Sequence, residues 1–175
     1  MPPRNPDEYE AEFMSDGNVL HRDKISIPWF FSLLMWAATL FGAGAAAMGA
    51  YSGSASLAVP ILFAAVGLLA WLNFHALRIT VTHDKLDIQY GLLGPKIPIE
   101  SIVFCQRQPY TITKYGGWGI RYAISDGSWA FNVIGDGGTG VMVHYRTKGG
   151  KLKKVFVSSH HPAVLAESIN RARLA

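Results

Sequence analysis

ISIPWFFSLLMWAATLFGAGAAAMGAYSGSASLAVPILFAAVGLLAWLNFHAL, residues 25–77, contains no Asp, Glu, Lys or Arg in 53 positions. That is about twice the length one bilayer-crossing helix requires. The run divides at Tyr51-Ser-Gly-Ser-Ala-Ser56, a small, polar, glycine-containing stretch with the character of a turn. The pieces, 25–50 and 57–77, hold 26 and 21 residues. As helices they reach roughly 39 and 31 Å, enough for a hydrocarbon core of about 30 Å. Pro28 and Pro60 fall in the first turn of each piece, where a missing amide proton costs nothing. A two-helix transmembrane hairpin is expected.

Trp29, Phe30, Phe31 and Trp36 open the first span and Tyr51 closes it, while Trp71 and Phe74 close the second. These positions have the pattern of interfacial aromatic belts. Small residues recur every four positions, at Gly42, Ala46 and Ala50 and at Ala45, Gly49 and Gly53. Such faces let two helix backbones approach, within the hairpin or against a partner, which makes Trp29, Trp36, Gly42 and Gly49 candidate partner-binding residues. Ala43, Ala45 and Ala47 resemble a signal-peptidase site. The acidic preceding segment and the length of the apolar stretch favour an uncleaved span instead.

Residues 1–24 carry three Arg/Lys and six Asp/Glu, against thirteen and six in residues 78–175. The positive-inside bias puts the carboxyl-terminal part in the cytoplasm, and two crossings return the amino terminus to the same side. A multi-pass protein of a bacterial inner membrane with both termini cytoplasmic is expected. Cys105, the single cysteine, has no intrachain partner and lies among apolar neighbours, as a packing residue would. The 1–24 segment, with Pro2, Pro3, Pro6 and an acidic run from Asp7 to Glu12, reads as a disordered tail.

From residue 78 the pattern changes. Short Val-, Ile-, Tyr-, Phe- and Thr-rich stretches at 78–82, 86–91, 97–107, 119–124, 128–134, 140–147 and 151–157 alternate with turn signals, giving seven expected strands. Lys148-Gly-Gly-Lys151, His83-Asp84-Lys85 and Ser125-Asp126-Gly127 read as hairpin turns. Pro162 opens a helix of about three turns with Arg171 and Arg173 at its carboxyl end. The fold class is α+β: a transmembrane hairpin, then a mainly antiparallel β barrel or sandwich, residues 78–175, capped by a helix.

The two spans, the strands Leu77-Arg78-Ile79-Thr80-Val81-Thr82 and Leu86-Asp87-Ile88, the segment Ile97-Pro98-Ile99-Glu100-Ser101-Ile102, the stretch Tyr115-Gly-Gly-Trp-Gly-Ile-Arg-Tyr122, the Gly140-Val141 strand entry and the Pro162-led helix together resemble bacterial membrane-anchored proteins with a pleckstrin-homology-like domain. The resemblance covers residues 25–175. It implies a domain that binds partners, self-associates or touches lipid, with no catalytic residues, and its broad class includes accessory and assembly proteins of photosynthetic membrane complexes.

The residues themselves suggest no reaction. Gly135-Asp-Gly-Gly-Thr-Gly140 spells the dinucleotide-binding pattern, but a β-branched, aromatic strand follows where a helix would have to meet the phosphates. The six histidines are scattered without ligand spacing, and no serine occupies a nucleophile elbow. No enzyme activity, metal or cofactor is expected. His75, near the end of the second span, is better placed to reach the interface than to ligate a pigment or haem.

Surfaces remain. Lys148, Lys151, Lys153 and Lys154 form a basic hairpin that would attract anionic lipid if it faced the bilayer, at about 1 kcal/mol per lysine. Trp118 and Trp129, within an aromatic cluster, are candidate partner anchors. Two functions from different classes follow: an interaction protein, acting as accessory or scaffold subunit on other membrane subunits or on copies of itself, and a sensor of anionic lipid. An assembly factor or accessory subunit of a photosynthetic or respiratory complex is a narrower form of the first. Nucleic acid is not an expected partner.

Overall fold

A computed structural model of the chain describes residues 19–53, 57–133 and 138–174. Most of the expected tail, the end of the 51–56 turn and the start of the 135–140 glycine loop lie outside these.

The charge-free run does not begin as a helix. Val19–Ser26 is a strand, β1, in which Asp23 and Ile25 are buried while Lys24 and Ser26 are exposed. It pairs antiparallel with β2, Ala76–Thr82, in the register Lys24↔Arg78, Ile25↔Leu77 and Ser26↔Ala76. The boundary placed at residue 24 is thereby corrected, because Ile25 is an inward-facing strand residue and Ile27, buried in the link to the helix, precedes the first turn of the span. The helices are α1, Trp29–Tyr51, and α2, Ala58–Phe74. By length and composition α1 qualifies to cross a membrane, whereas α2 is shorter, with 17 residues or roughly 26 Å.

The two helices pack together. A methyl group on Gly42 would come within 2.7 Å of the Ala64 amide nitrogen and 2.9 Å of the Pro60 carbonyl. One on Gly67 would meet Thr39 Oγ1 at 2.6 Å, and the rings of Trp36 and Trp71 lie 5.2 Å apart. Glycine is required where the backbones approach this closely. Outward, Leu34, Leu40, Phe41, Leu62 and Phe63 are more than half exposed.

Two sheets follow. The first has order β1-β2-β3-β4, with β3 Lys85–Tyr90 and β4 Lys96–Pro98. A single 3-10 turn, Ile99–Ser101, leads to β5, Ile102–Pro109. A one-turn helix, α3, Ile112–Tyr115, precedes β6 Gly119–Ala123, β7 Ser128–Asn132, β8 Thr139–Arg146 and β9 Leu152–Ser158. These strands make the second sheet, of order β5-β8-β9-β7-β6, in which β7 and β9 are parallel. Nine strands are therefore described where seven were expected. β1 lay in the supposed tail, and 97–107 divides at the 3-10 turn.

Among the described residues the sheets do not close into a barrel. Ile25, Leu77, Ile79, Leu86 and Ile88 of the first sheet share one buried cluster with Cys105, Phe131, Val143, Val155 and Val157 of the second. Leu165 and Ile169 of the carboxyl-terminal helix α4, Pro162–Leu174, close the cluster. Each such side chain contributes about 1.5–3 kcal/mol by leaving water. The buried hydroxyl of Tyr90 donates to the carbonyl of Asn132 at 2.5 Å, joining the sheets by a polar bond inside the core.

Candidate functional site

The domain has a polarity set by its strands. β1 and β2 leave the helices at Ser26 and Ala76, and the Ile27 amide donates to the His75 carbonyl at 3.0 Å. The rings of Phe74 and Tyr90 lie 5.6 Å apart, and those of Phe31 and Trp118 lie 5.0 Å apart. Phe31, Met35 and Phe74 all pack on the domain core. Through Trp118 and through the Tyr90–Asn132 bond, the Gly119/Asn132/Val157 end of the second sheet also lies at this near end. The turns at 83–84, 125–127 and 147–151 consequently lie at the far end.

The near end carries a compact junction. Asn73, in the last turn of α2, donates through Nδ2 to Leu69 O at 2.9 Å and accepts the Leu92 amide at 3.3 Å through Oδ1. Tyr90 and Leu93 exchange two backbone bonds across the turn between β3 and β4. Gly91, at φ 54°, sits where a Cβ would strike the Asn73 backbone. The glycine permits both the positive φ and the contact.

A second polar connection ties β1 to the start of α4. Asp23, only 8% exposed, accepts from the Ser159 hydroxyl at 2.6 Å and from the His160 amide at 3.1 Å. Ser159 Oγ in turn accepts the His161 amide at 3.0 Å, so these groups organise the helix entry. Burial lowers the pKa of neighbouring His21, against the upward pull of Asp23, and His161 lowers it further.

The four lysines form one hairpin. The Thr147 amide donates to Lys151 O at 2.9 Å, and Gly150, at φ 76°, donates to Thr147 O at 2.8 Å. Strand alternation puts Lys153 and Lys154 on opposite faces. Lys154 Nζ lies 3.7 Å from Asp126, whereas Lys148, Lys151 and Lys153 are exposed. The tip stands six residues along β9 from Val157, roughly 20 Å at strand rise, and points away from the junction.

The remaining candidates separate. Trp29 is 76% exposed, Trp36 is also exposed with its ring tilted against that of Trp71, and Gly42 is buried between the helices. Gly49 is half-buried, its carbonyl accepting from Ser52 Oγ at 3.2 Å. Trp118 belongs to the junction, while Trp129 pairs with Tyr122 at 5.1 Å on the far part of the second sheet, where both are exposed.

Other groups have structural partners. Asp126 accepts from Lys114 Nζ at 2.8 Å and from the Ser128 hydroxyl at 2.6 Å. Burial would raise its pKa, but these bonds outweigh burial and hold it at about 2. Burial pushes the Cys105 thiol up to about 12, as suits a packing residue rather than a reactive thiolate. His75 stacks on Trp71, with Nδ1 directed at the Trp71 and Leu72 carbonyls. Among the described residues no three His, Cys, Asp or Glu side chains converge on a metal-sized site. The glycine-rich pattern ending at Gly140 runs directly into β8, so no helix follows it.

Sequence reasoning missed Asn73, Leu92, Leu93, Asp23 and Ser159. Leu92-Leu93 between two glycines, in a turn where polar residues are usual, was the available signal. Nothing local marks Asp23 and Ser159, 136 positions apart. Comparison with protein-family models, curated proteins and solved structures gives no match for this chain.

Proposed function

We propose that this chain is a membrane-anchored, non-enzymatic interaction protein of a bacterial inner membrane. In this reading α1 and α2 insert together as a hairpin and hold the sheet domain against the cytoplasmic surface, where it docks on a membrane-protein subunit or on a second copy. The observation that carries it is the packing of Phe31, Met35 and Phe74, partly buried near the helix bases, against the domain's own core. Helices packed on the core in this way position a domain more than they tether it. The apolar outer surfaces of α1 and α2 suit lipid or other helices better than water.

Kinship with membrane-anchored pleckstrin-homology-like proteins is part of the proposal. Two facing sheets with a carboxyl-terminal helix on their shared core support it. An accessory or assembly role in a photosynthetic or respiratory complex is the narrower form of the same reading. Lipid sensing by the lysine hairpin is the weaker alternative, because its tip points away from the helices.

The exposed Tyr122–Trp129 pair, with Lys153 on the same face of the sheet, is the docking surface we favour, since aromatic anchors dominate interface energetics. The test is purification from native membranes in mild detergent, comparing wild type with Trp129→Ala. A defined assembly that Trp129→Ala dissolves supports the proposal. A lone monomer in both cases rejects it.

A further inference from the structure

The turn joining β3 to β4, Gly91-Leu-Leu-Gly-Pro95, exposes two leucines on a rigid support. Leu92 is 93% exposed and Leu93 47%. The two backbone bonds between Tyr90 and Leu93 close the turn, at 2.6 and 2.7 Å, and the Ile88 amide donates to Pro95 O at 3.1 Å. Its position is set by α2: the Leu92 amide is held by Asn73 Oδ1, and Gly91 lies against the Asn73 backbone. Leu92 is therefore level with the last turn of a strongly apolar helix. The turn could not have settled there by indifference, because a Cβ at Gly91 or Gly94 would collide with backbone.

Two neighbouring features flank the turn at this end of the domain. Trp118, half-buried, stands against Phe31 in the first turn of α1. Two residue pairs in from the near edge of the first sheet, Lys24 and Arg78 are paired across β1 and β2, both exposed and without an acidic ion-pair partner among the described residues. The order away from the helices is thus leucines and indole first, then cations. A bilayer surface presents the complementary order: acyl-chain boundary first, then lipid phosphates.

We infer that the domain is seated on the bilayer by its own near end, with Leu92 and Leu93 inserted at the acyl-chain boundary beside α2 and Lys24 and Arg78 meeting lipid phosphates. The occupant of the leucine turn is the lipid itself, argued from continuity with the apolar helix surface and from the cations above it. The inference rests on the membrane placement of α1 and α2 proposed above. It adds a third membrane contact, made by the sheet domain, that limits rocking of the domain about the helix bases.

The experiment uses the full chain with Cys105→Ser, reconstituted in phosphatidylcholine–phosphatidylglycerol vesicles. Leu92→Cys, Ile124→Cys and Leu40→Cys each carry a nitrobenzoxadiazole label. Leu92 and Ile124 are matched in exposure, at 93% and 92%, but lie at opposite ends of the domain, and Leu40 lies in mid-α1. The expected result is loss of emission at Leu40 and Leu92 with acyl-chain spin-labelled lipid, and at Ile124 with aqueous iodide alone. If Leu40 is lipid-quenched while Leu92 answers to iodide, the seat is wrong and the hairpin reading survives. Leu92 quenched by neither reagent means that protein covers the turn, which also overturns the seat. Failure at Leu40 removes the hairpin reading and the seat with it.

Discussion

The ring of Trp118 lies 5.0 Å from that of Phe31, bringing the loop before β6 against the first turn of α1. This contact is non-local, joining the helix that follows β1 to the loop that enters the second sheet. Removing the indole with Trp118→Ala should cost about 1–2 kcal/mol, since an aromatic pair is worth roughly 0.5–1.5 kcal/mol beyond its buried area. Trp118→Phe should retain most of it. Denaturant unfolding of the full chain in micelles measures both; equal losses would assign the effect to something other than ring packing.

Tyr90→Phe removes the hydroxyl that Asn132 O accepts at 2.5 Å and leaves that carbonyl with one fewer buried partner. The expected destabilisation is about 1–3 kcal/mol, the cost of a buried group losing its bond. Unchanged unfolding midpoints would show that the bond between the sheets is not stabilising.

At Gly42 the helices touch through backbone, so Gly42→Val forces them apart. A loss of about 1–3 kcal/mol is expected for overpacking at such a contact, while Gly44→Val, where an added Cβ meets nothing within 4 Å, should be much milder. Comparing the two variants' helix-pair stability in micelles by thermal circular dichroism checks the difference.

Acid should weaken the domain before any carboxylate titrates. His21 and His144 both have pKa values below the ordinary 6.5, chiefly through burial, with His161 and Lys154 respectively adding to the shift against the nearby aspartates. The unfolded chain takes up protons near 6.5 that the folded one refuses, so stability is full above that pH and declines as it falls. The Asp126 contribution, with a folded pKa of about 2 against 3.8, is lost only lower down. Denaturation midpoints between about pH 7.5 and 5.5 should therefore drop, and His21→Gln should flatten the slope. A midpoint that rises on acidification would contradict this.

The lysine hairpin gives a negative expectation. Replacing Lys148, Lys151, Lys153 and Lys154 by Gln should leave the vesicle association of the full chain unchanged at moderate salt, because the tip points away from the helix junction. Reduced association would restore the lipid-sensing alternative.

Some of this was legible in the residues. A charge-free run with Pro28 and Pro60 near its helix starts led to two helices, and the Gly149-Gly150 turn placed β8 beside β9. The start of α1 was misplaced because Ile25 and Ile27 lack charge as a membrane residue does, yet their alternation with Lys24 and Ser26 is that of a strand. Asp23 obscured that alternation: it faces inward as a charged residue, and its bonds from the Ser159 hydroxyl and the His160 amide make this tolerable. The parallel pairing of β7 with β9 depends on contacts distant in sequence, so no local pattern carries it. The outward direction of the lysines likewise follows from the register of the whole sheet.

Rigid coupling of the helix pair to the domain is the central claim, and one distance tests it directly. Spin labels at Leu40→Cys and Ile124→Cys, in the Cys105→Ser background and in lipid nanodiscs, span from mid-α1 to the domain's far end. Double electron–electron resonance should give a single narrow distance distribution, because Phe31, Met35 and Phe74 fix the junction. A broad or multimodal distribution would contradict the account and make the helices a tether.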